Sequence, residues 1–250
     1  MLFRSLSGFN DNVKLGQIGQ LKLSSAIVMH AKRVTGTALD VLKWRGVVLD
    51  TFDGTDWAKK HRSRTFIPPQ DAHYNLSREP AGGEAVNYEI LLEPLATTAL
   101  FGPYRMREVS GKLIPGIEMD DDEGVFVRFQ QSRRLQYWVS SQLVKRPSAA
   151  TLKALDDSKL PPDKEAIYLQ LPENLDPRIR DLARQITAGG KNPLEKAGLV
   201  EVYLKKNYKY TLTLTWNPGD QPLTTFLFQA KSGHCEYFAS AMAVLLRAAG

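Results

Sequence analysis

The chain has 250 residues, of which 43% are hydrophobic and 24% charged; this excludes a disordered polymer and allows one large domain or two modest ones. The net charge of +6 is carried by scattered basic residues, densest at Lys59-Lys60-His61-Arg62, Arg133-Arg134 and Lys205-Lys206, which reads as solvated surface, with an anionic membrane surface second and no nucleic acid. No apolar run approaches the ~20 residues of a membrane span, the start Met1-Leu-Phe-Arg-Ser-Leu-Ser-Gly8 lacks the apolar core of a signal peptide, one cysteine excludes an internal disulfide, and His30, His61, His73 and His234 show no ligand spacing, so no metal or other cofactor is expected.

In chain order, residues 1–150 read as β-rich. Trp44 to Leu49 predicts a strand, and Asp53-Gly54 a hairpin-type turn before Trp57. Tyr88-Glu-Ile-Leu-Leu-Glu-Pro94 predicts another strand, stopped by proline. Val125, Val127 and Phe129 alternate with Phe126, Arg128 and Gln130; Leu135, Tyr137 and Val139 do so again after the polar break Gln131–Arg134, and the two predict a hairpin. Many short strands with turn signals between them imply a sandwich or an open barrel. The stretch around Pro147, Ser148, Pro161 and Pro162 reads as a connector, set at residues 151–166.

From residue 167 onward the pattern turns helical. Asp176-Pro177 supplies an N-cap and a first helical residue; Ile179, Leu182, Ala183 and Ile186 make an apolar stripe that Gly189-Gly190 ends. Asn192-Pro193 opens a second helix with Glu195 on the acidic side of a capping box and Leu199, Val200, Tyr203 and Leu204 on its buried face. Tyr208 to Trp216 reads as extended, and Asn217-Pro-Gly-Asp220 as a turn. A last helix begins at Cys235. Its residues Phe238, Ala239, Met242, Ala243, Leu245 and Leu246 surround most of its circumference and predict burial on nearly all sides, and Gly250 suits its C-terminal cap.

Cys235 carries the chemistry. A thiol at the start of a helix sits beside unpaired N–H groups and partial positive charge. There it loses its proton more readily, and the same N–H groups can receive the oxyanion formed when a thiolate attacks a carbonyl. A lone cysteine among apolar helix residues also fits a small core residue. The surrounding residues decide for the nucleophile. Gly233-His-Cys-Glu-Tyr-Phe-Ala-Ser-Ala-Met242, with Phe226-Leu-Phe228, Leu245 and Arg247, resembles the nucleophile segment of transglutaminase-like proteins, and most closely that of the TgpA-like family of bacterial membrane-anchored proteins with a periplasmic transglutaminase-like domain. Trp44-Arg-Gly46, Asp50, Asp53-Gly54 and Trp57 resemble the motif of the β-rich domain that precedes the catalytic domain in that family, with Lys43 where an aromatic is usual. Leu92-Glu-Pro94, Leu171-Pro172 and Leu175-Asp-Pro-Arg178 are similar to further segments.

The resemblance implies an α+β chain: a β-rich sandwich or open barrel at residues 1–150, a linker at 151–166, and at 167–250 the N-terminal helical part of a transglutaminase-like, papain-like core. It implies a Cys–His–Asp triad of which only Cys235 lies in this sequence, so the chain is expected to be cut inside its catalytic domain and nearly inactive alone. It implies acyl transfer through a thioester, from a glutamine or peptide acyl donor to an amine. Transfer to water, as a protease or deamidase, and a non-catalytic periplasmic binding or scaffold module stand as alternatives. The expected partners are a peptide or protein substrate and cell-wall or membrane-associated molecules, and the expected location is the periplasmic side of the inner membrane. Gln229, six residues before Cys235, has the spacing of the papain-like oxyanion glutamine, although the TgpA-like family does not rely on one there. His234 reads as a turn or pocket-lining residue, because adjacent helical residues point about 100° apart. Glu236 reads as an anion that stabilises the first helical turn, and Trp216 walls either the pocket or only the core.

Overall fold

The computed structural model describes residues 12–16, 26–37, 43–77, 84–95, 97–113, 115–142 and 160–250. Contacts divide the chain into two units that are not contiguous in sequence. One holds Met1–Asp11, Ser25–Val48 and His61–Arg146; the other holds Asn12–Ser24, Leu49–Lys60 and Pro147–Gly250. The second unit therefore takes two short segments from the region read as β-rich. Much of the interval read as a linker, up to residue 159, lies outside the described residues.

The first unit is built from antiparallel sheets. A five-stranded sheet runs in the order Met29–Thr35, Ala85–Leu92, Leu135–Gln142, Met106–Ser110, His73–Asn75. A four-stranded sheet runs Arg64–Ile67, Ile117–Asp120, Val125–Val127, Ala99–Leu100. Period-two alternation aims Ile90 and Leu92, and Tyr137 and Val139, into one core with Ile117, Val125, Val127 and Leu100. The two sheets thus share a single hydrophobic layer, the arrangement of a sandwich.

Two sequence expectations change here. Val125–Val127 and Leu135–Gln142 do not form a hairpin: the first pairs with Ile117–Met119 and Ala99–Leu100, the second with Ala85–Leu92 and Met106–Ser110. All three residues of Val125–Val127 are buried, so this strand is covered on both faces and its alternation carries no facing information. The strand expected over Trp44–Leu49 is only Trp44–Arg45, paired with Gly102–Pro103.

The second unit carries five α-helices among its described residues: α1 (Pro162–Tyr168), α2 (Pro177–Thr187), α3 (Pro193–Asn207), α4 (Pro222–Thr225) and α5 (Cys235–Ala249). Helix α1 occupies part of the stretch read as linker. The two expected caps form as local chemistry dictates. Asp176 Oδ1 accepts from Arg178 N at 2.9 Å, and Asn192 Oδ1 accepts from Glu195 N at 2.8 Å. Glu195 returns the contact one residue early, accepting from Lys191 N at 2.8 Å rather than from the cap residue. We expect Asn192→Ala to cost about 1 kcal/mol, read as a lowered urea midpoint with an unchanged m-value. On α3, Val200 and Leu204 are buried as expected and Tyr203 is half-buried. Leu199 is exposed, because the buried stripe follows 200 and 204 and leaves 199 turned to the other side.

One core cluster joins α2, α3, α4 and α5 to Leu15, Phe52 and Trp57. Thr51–Phe52 and Asp56–Ala58 make the expected hairpin, in register Phe52↔Trp57, around Gly54 at φ +113°. The Asp53 carboxylate accepts from the N–H groups of Thr55 and Asp56 and closes the turn. Asn12–Lys14 adds a third strand on the far side of Asp56–Ala58. The side-chain amide of Gln170 pairs with both backbone groups of Phe52, each at 3.0 Å. Lys59, read as solvated, instead lies 3.5 Å from the buried carboxylate of Asp50.

Buried phenols mark both units. Tyr137 is fully buried, and its hydroxyl donates to the carbonyl of Phe101 and accepts from its N–H. Burial pushes the pKa of Tyr137 well above the ordinary tyrosine value; burial does the same for Tyr208, helped by Tyr203, and for Tyr237, helped by the negative charge of Glu236. A phenol whose pKa is raised in the folded state contributes stability that is fully present below the unfolded value of about 10 and is lost as pH rises through the folded value. The melting temperature should accordingly fall steadily above about pH 10, and Tyr137→Phe should flatten that slope.

Candidate active site

The segment before α5 is shaped by an abrupt change of helix type. Helix α4 runs directly into a π-helical turn, Phe226–Ala230, and the chain leaves it through Lys231 in the left-handed region at φ +47°. Non-glycine residues in that region cost energy and collect at functional turns. Ser232–Gly233 then pairs in parallel with Lys209–Tyr210. Lys209 N donates to Lys231 O and Thr211 N to Gly233 O, each at 2.8 Å. The extended stretch expected from Tyr208 to Trp216 is a strand only over Lys209–Tyr210, where this partner exists. At Gly233 a side chain has no room: a Cβ would meet Tyr237 at 3.0 Å and the Phe226 ring at 3.2 Å.

His234 is the N-cap of α5, in extended conformation, and its carbonyl accepts from Tyr237 N and Phe238 N. Cys235 is the first helical residue and is exposed. Its own N–H and that of Glu236 precede these first bonds, so the helix presents donors and its positive end beside the thiol. The expected burial on nearly all sides of α5 is not found. Tyr237, Ala241, Val244 and Leu245 are buried, while Cys235 and Ala239 are exposed and Phe238, Met242, Ala243 and Leu246 half-buried. The packing elements cover one face of the helix only.

The other nominated residues fall in different places. The imidazole of His234 is fully buried, packs 5.1 Å from the Tyr237 ring, and has Nε2 3.4 Å from Glu236 Oε1. Trp216 is half-buried, stacks obliquely on Tyr237 at 5.1 Å, and donates from Nε1 to Ser232 O at 2.8 Å. It holds the strand that delivers Cys235. Gln229 is exposed on the π-turn. Among the described residues no hydrogen bond or ion pair joins Gln229, His234 or Trp216 to the thiol, and no group of three or more His, Cys, Asp or Glu side chains is placed to hold a metal ion. His30, His61 and His73 belong to the first unit.

Sequence reasoning missed how polar residues on α5 are used. Glu236 is 4% exposed and does more than favour the helix dipole: its Oε1 accepts from Gly16 N at 2.7 Å. Ser240 Oγ accepts from Trp57 Nε1 at 2.9 Å. Arg247 donates to Gln170 O at 2.8 Å and to Asp50 O at 2.7 Å, with its guanidinium 4.9 Å from the Trp57 ring centre. The available signal was a row of polar residues on an otherwise apolar helix.

Against this geometry, residues 4–148 match the family profile described as the TgpA N-terminal domain, and residues 180–250 that of the transglutaminase-like superfamily. The chain belongs to the TgpA-like family. The first match takes in Asn12–Ser24 and Leu49–Lys60, which belong to the helical unit, so Asp50, Asp53-Gly54 and Trp57, which by family resemblance mark the β-rich domain, pack with the helices. The chain is 26% identical over 252 aligned positions to a Pseudomonas aeruginosa protein-glutamine gamma-glutamyltransferase, covering 99% of this TgpA-like chain and 34% of that protein. It is 42% identical over 87 positions to the uncharacterized Bacillus subtilis protein YebA, covering 33% of this chain and 12% of YebA. The crystal structure of the periplasmic domain of TgpA from Pseudomonas aeruginosa superposes with a TM-score of 0.75 at 25% identity, over 98% of this chain and 78% of that one. The TgpA-like chain thus spans about a third of the curated gamma-glutamyltransferase it matches. No helix among its described residues is long and apolar enough to cross a membrane.

Proposed function

We propose that this TgpA-like protein is a periplasmic, transglutaminase-like cysteine acyltransferase, with Cys235 as its nucleophile and a peptide or protein glutamine as acyl donor. The single observation that carries the reading is an exposed thiol on the first residue of a helix, at the end where the leading N–H groups precede the first helical bonds. The relative named as a protein-glutamine gamma-glutamyltransferase supports the choice of donor. In the first half-reaction the thiolate attacks the γ-carboxamide carbon, and the helix N–H groups receive the developing oxyanion. The C–N bond then breaks and ammonia leaves with a proton from the general base. In the second half, an amine attacks the thioester, an isopeptide bond forms and the thiol is released. His234 does not serve as the base, since its imidazole is fully buried against Tyr237 and Glu236.

The open position of Cys235 favours one variant of the same chemistry, in which water rather than an amine resolves the thioester. One experiment tests both. The protein at its natural length is incubated with a glutaminyl peptide and a fluorescent alkylamine, and the peptide is weighed by mass spectrometry. Amine incorporation with ammonia release supports the transferase. Deamidation or cleavage without incorporation moves the assignment to a hydrolase. A peptide left unchanged overturns the enzymatic reading and leaves a binding or scaffold role.

A further inference from the structure

Glu236, Ser240 and Arg247 are spaced by four and seven residues, which at 3.6 residues per turn places all three within about 40° on one side of α5. Each reaches into the N-terminal part of the chain. Glu236 takes the N–H of Gly16, Ser240 takes the indole N–H of Trp57, and Arg247 gives to the carbonyl of Asp50 and covers Trp57. These partners lie on two separate segments, Asn12–Ser24 and Leu49–Lys60, which the second unit draws in from far upstream. Gly16 is confined as well. It sits at φ +95°, and a Cβ there would fall 3.1 Å from Pro218 and 3.2 Å from the Tyr237 hydroxyl.

We infer that Glu236, Ser240 and Arg247 are positioning residues, whose polar row locks the nucleophile helix onto the two N-terminal segments and so fixes the N–H groups beside Cys235. The inference rests on the reading of Cys235 as nucleophile. The row has the right chemistry for such a lock. Trp57 is stacked on Phe52 at 4.9 Å and is itself buried in the core, so the Ser240 contact is made away from water and between immobile groups. The Glu236 contact acts at the first turn, one residue after the thiol and 3.4 Å from the imidazole of the cap residue. Withdrawing the Gly16 N–H therefore frees the turn that carries the oxyanion donors, and withdrawing Trp57 Nε1 frees the next turn. In this arrangement the catalytic unit is not the contiguous C-terminal segment. It is complete only with Gly16 and the Thr51–Ala58 hairpin.

Hydrogen exchange on the full 250-residue chain tests the lock without requiring turnover. Trp57→Phe keeps one six-membered aromatic ring and removes the N–H donor together with the pyrrole ring that carries it; Glu236→Ala removes the acceptor for Gly16, and Glu236→Gln retains a carbonyl oxygen in its place. Trp57→Phe and Glu236→Ala should each raise exchange in the first two turns of α5 by about tenfold, the equivalent of one lost interior hydrogen bond. Protection in α3 should stay unchanged, and Glu236→Gln should restore most of the loss. At natural length the same two variants should lower kcat with little change in KM. A uniform rise across α3 and α5, or no rise in α5, overturns the positioning role. If exchange responds as expected while no variant or parent turns over glutamine, the lock stands and the acyl-transfer reading falls.

Discussion

Replacing Cys235 with alanine should remove glutamine acyl transfer from the natural-length protein while leaving the melting temperature where it was. The first half follows from covalent catalysis: without sulfur no thioester forms, and loss of a nucleophile from a cooperating set lowers kcat by a factor on the order of 10⁶. The second half follows from position. Cys235 is exposed, makes no hydrogen bond among the described residues and occupies the first position of α5, so truncating it to alanine leaves no cavity. Its stability effect belongs with ordinary surface substitutions, within about 0.5 kcal/mol. Mass spectrometry after incubation with iodoacetamide gives an independent reading. The parent chain carries one adduct, because it has one cysteine, and the variant carries none. An alanine variant that still transfers acyl groups would falsify the assignment of Cys235.

Phe226→Ala has the largest expected effect on stability. Phe226 is fully buried, and its ring lies 4.9 Å from Tyr208, 5.4 Å from Tyr237 and 5.4 Å from Phe238. It also fills the space against which Gly233 closes. Removing a phenylalanine from such a site costs about 3–5 kcal/mol, the transfer energy plus the cavity left behind. Against the roughly 5–15 kcal/mol of a typical domain this is a large share, and the melting temperature of the helical unit should fall by roughly 10 °C or more. The cavity would open directly under the turn that presents Cys235. Thermal unfolding followed by tryptophan fluorescence should show the loss, with Phe226→Leu recovering most of it. If alanine shifts the melt by no more than a surface substitution does, this aromatic cluster is not what holds the turn.

The features read correctly from sequence are those whose physics is short-ranged. The caps at Asp176 and Asn192 depend on a side chain and an N–H two or three residues away, and both form. The hairpin at Asp53-Gly54 depends on one glycine with positive φ and one aspartate that bonds its own turn. The start of α5 at Cys235 was legible for the same reason: a glycine-containing turn gives way to a mostly apolar run that favours a helix.

The misreadings share an opposite cause. Alternation at Val125–Val127 and Leu135–Val139 tells which side chains can face inward, but not which strand lies alongside, and the two strands joined different sheets. Apolar residues around α5 suggested burial on every side, yet a half-buried Phe238 or Met242 has the same composition as a buried one. His234 as a turn or pocket-lining residue, and Trp216 as a wall of either the pocket or the core, are alternatives that sequence leaves open rather than misreadings. The structure turns the imidazole into the core, and uses the indole N–H to hold Ser232.

The sequence alone thus determined the chemistry available to this protein: one thiol, set by local turn and helix signals at the positive end of α5, within a segment whose residues carry the family resemblance. It determined the α+β character as well, because periodicity and caps are local properties. Only the tertiary structure decided which distant segments hold that thiol in place. Gly16, Asp50 and Trp57 meet Glu236, Arg247 and Ser240 across separations of 220, 197 and 183 residues. Contacts of that range arise when separate apolar faces are buried together in one core, and no local pattern encodes which faces those are.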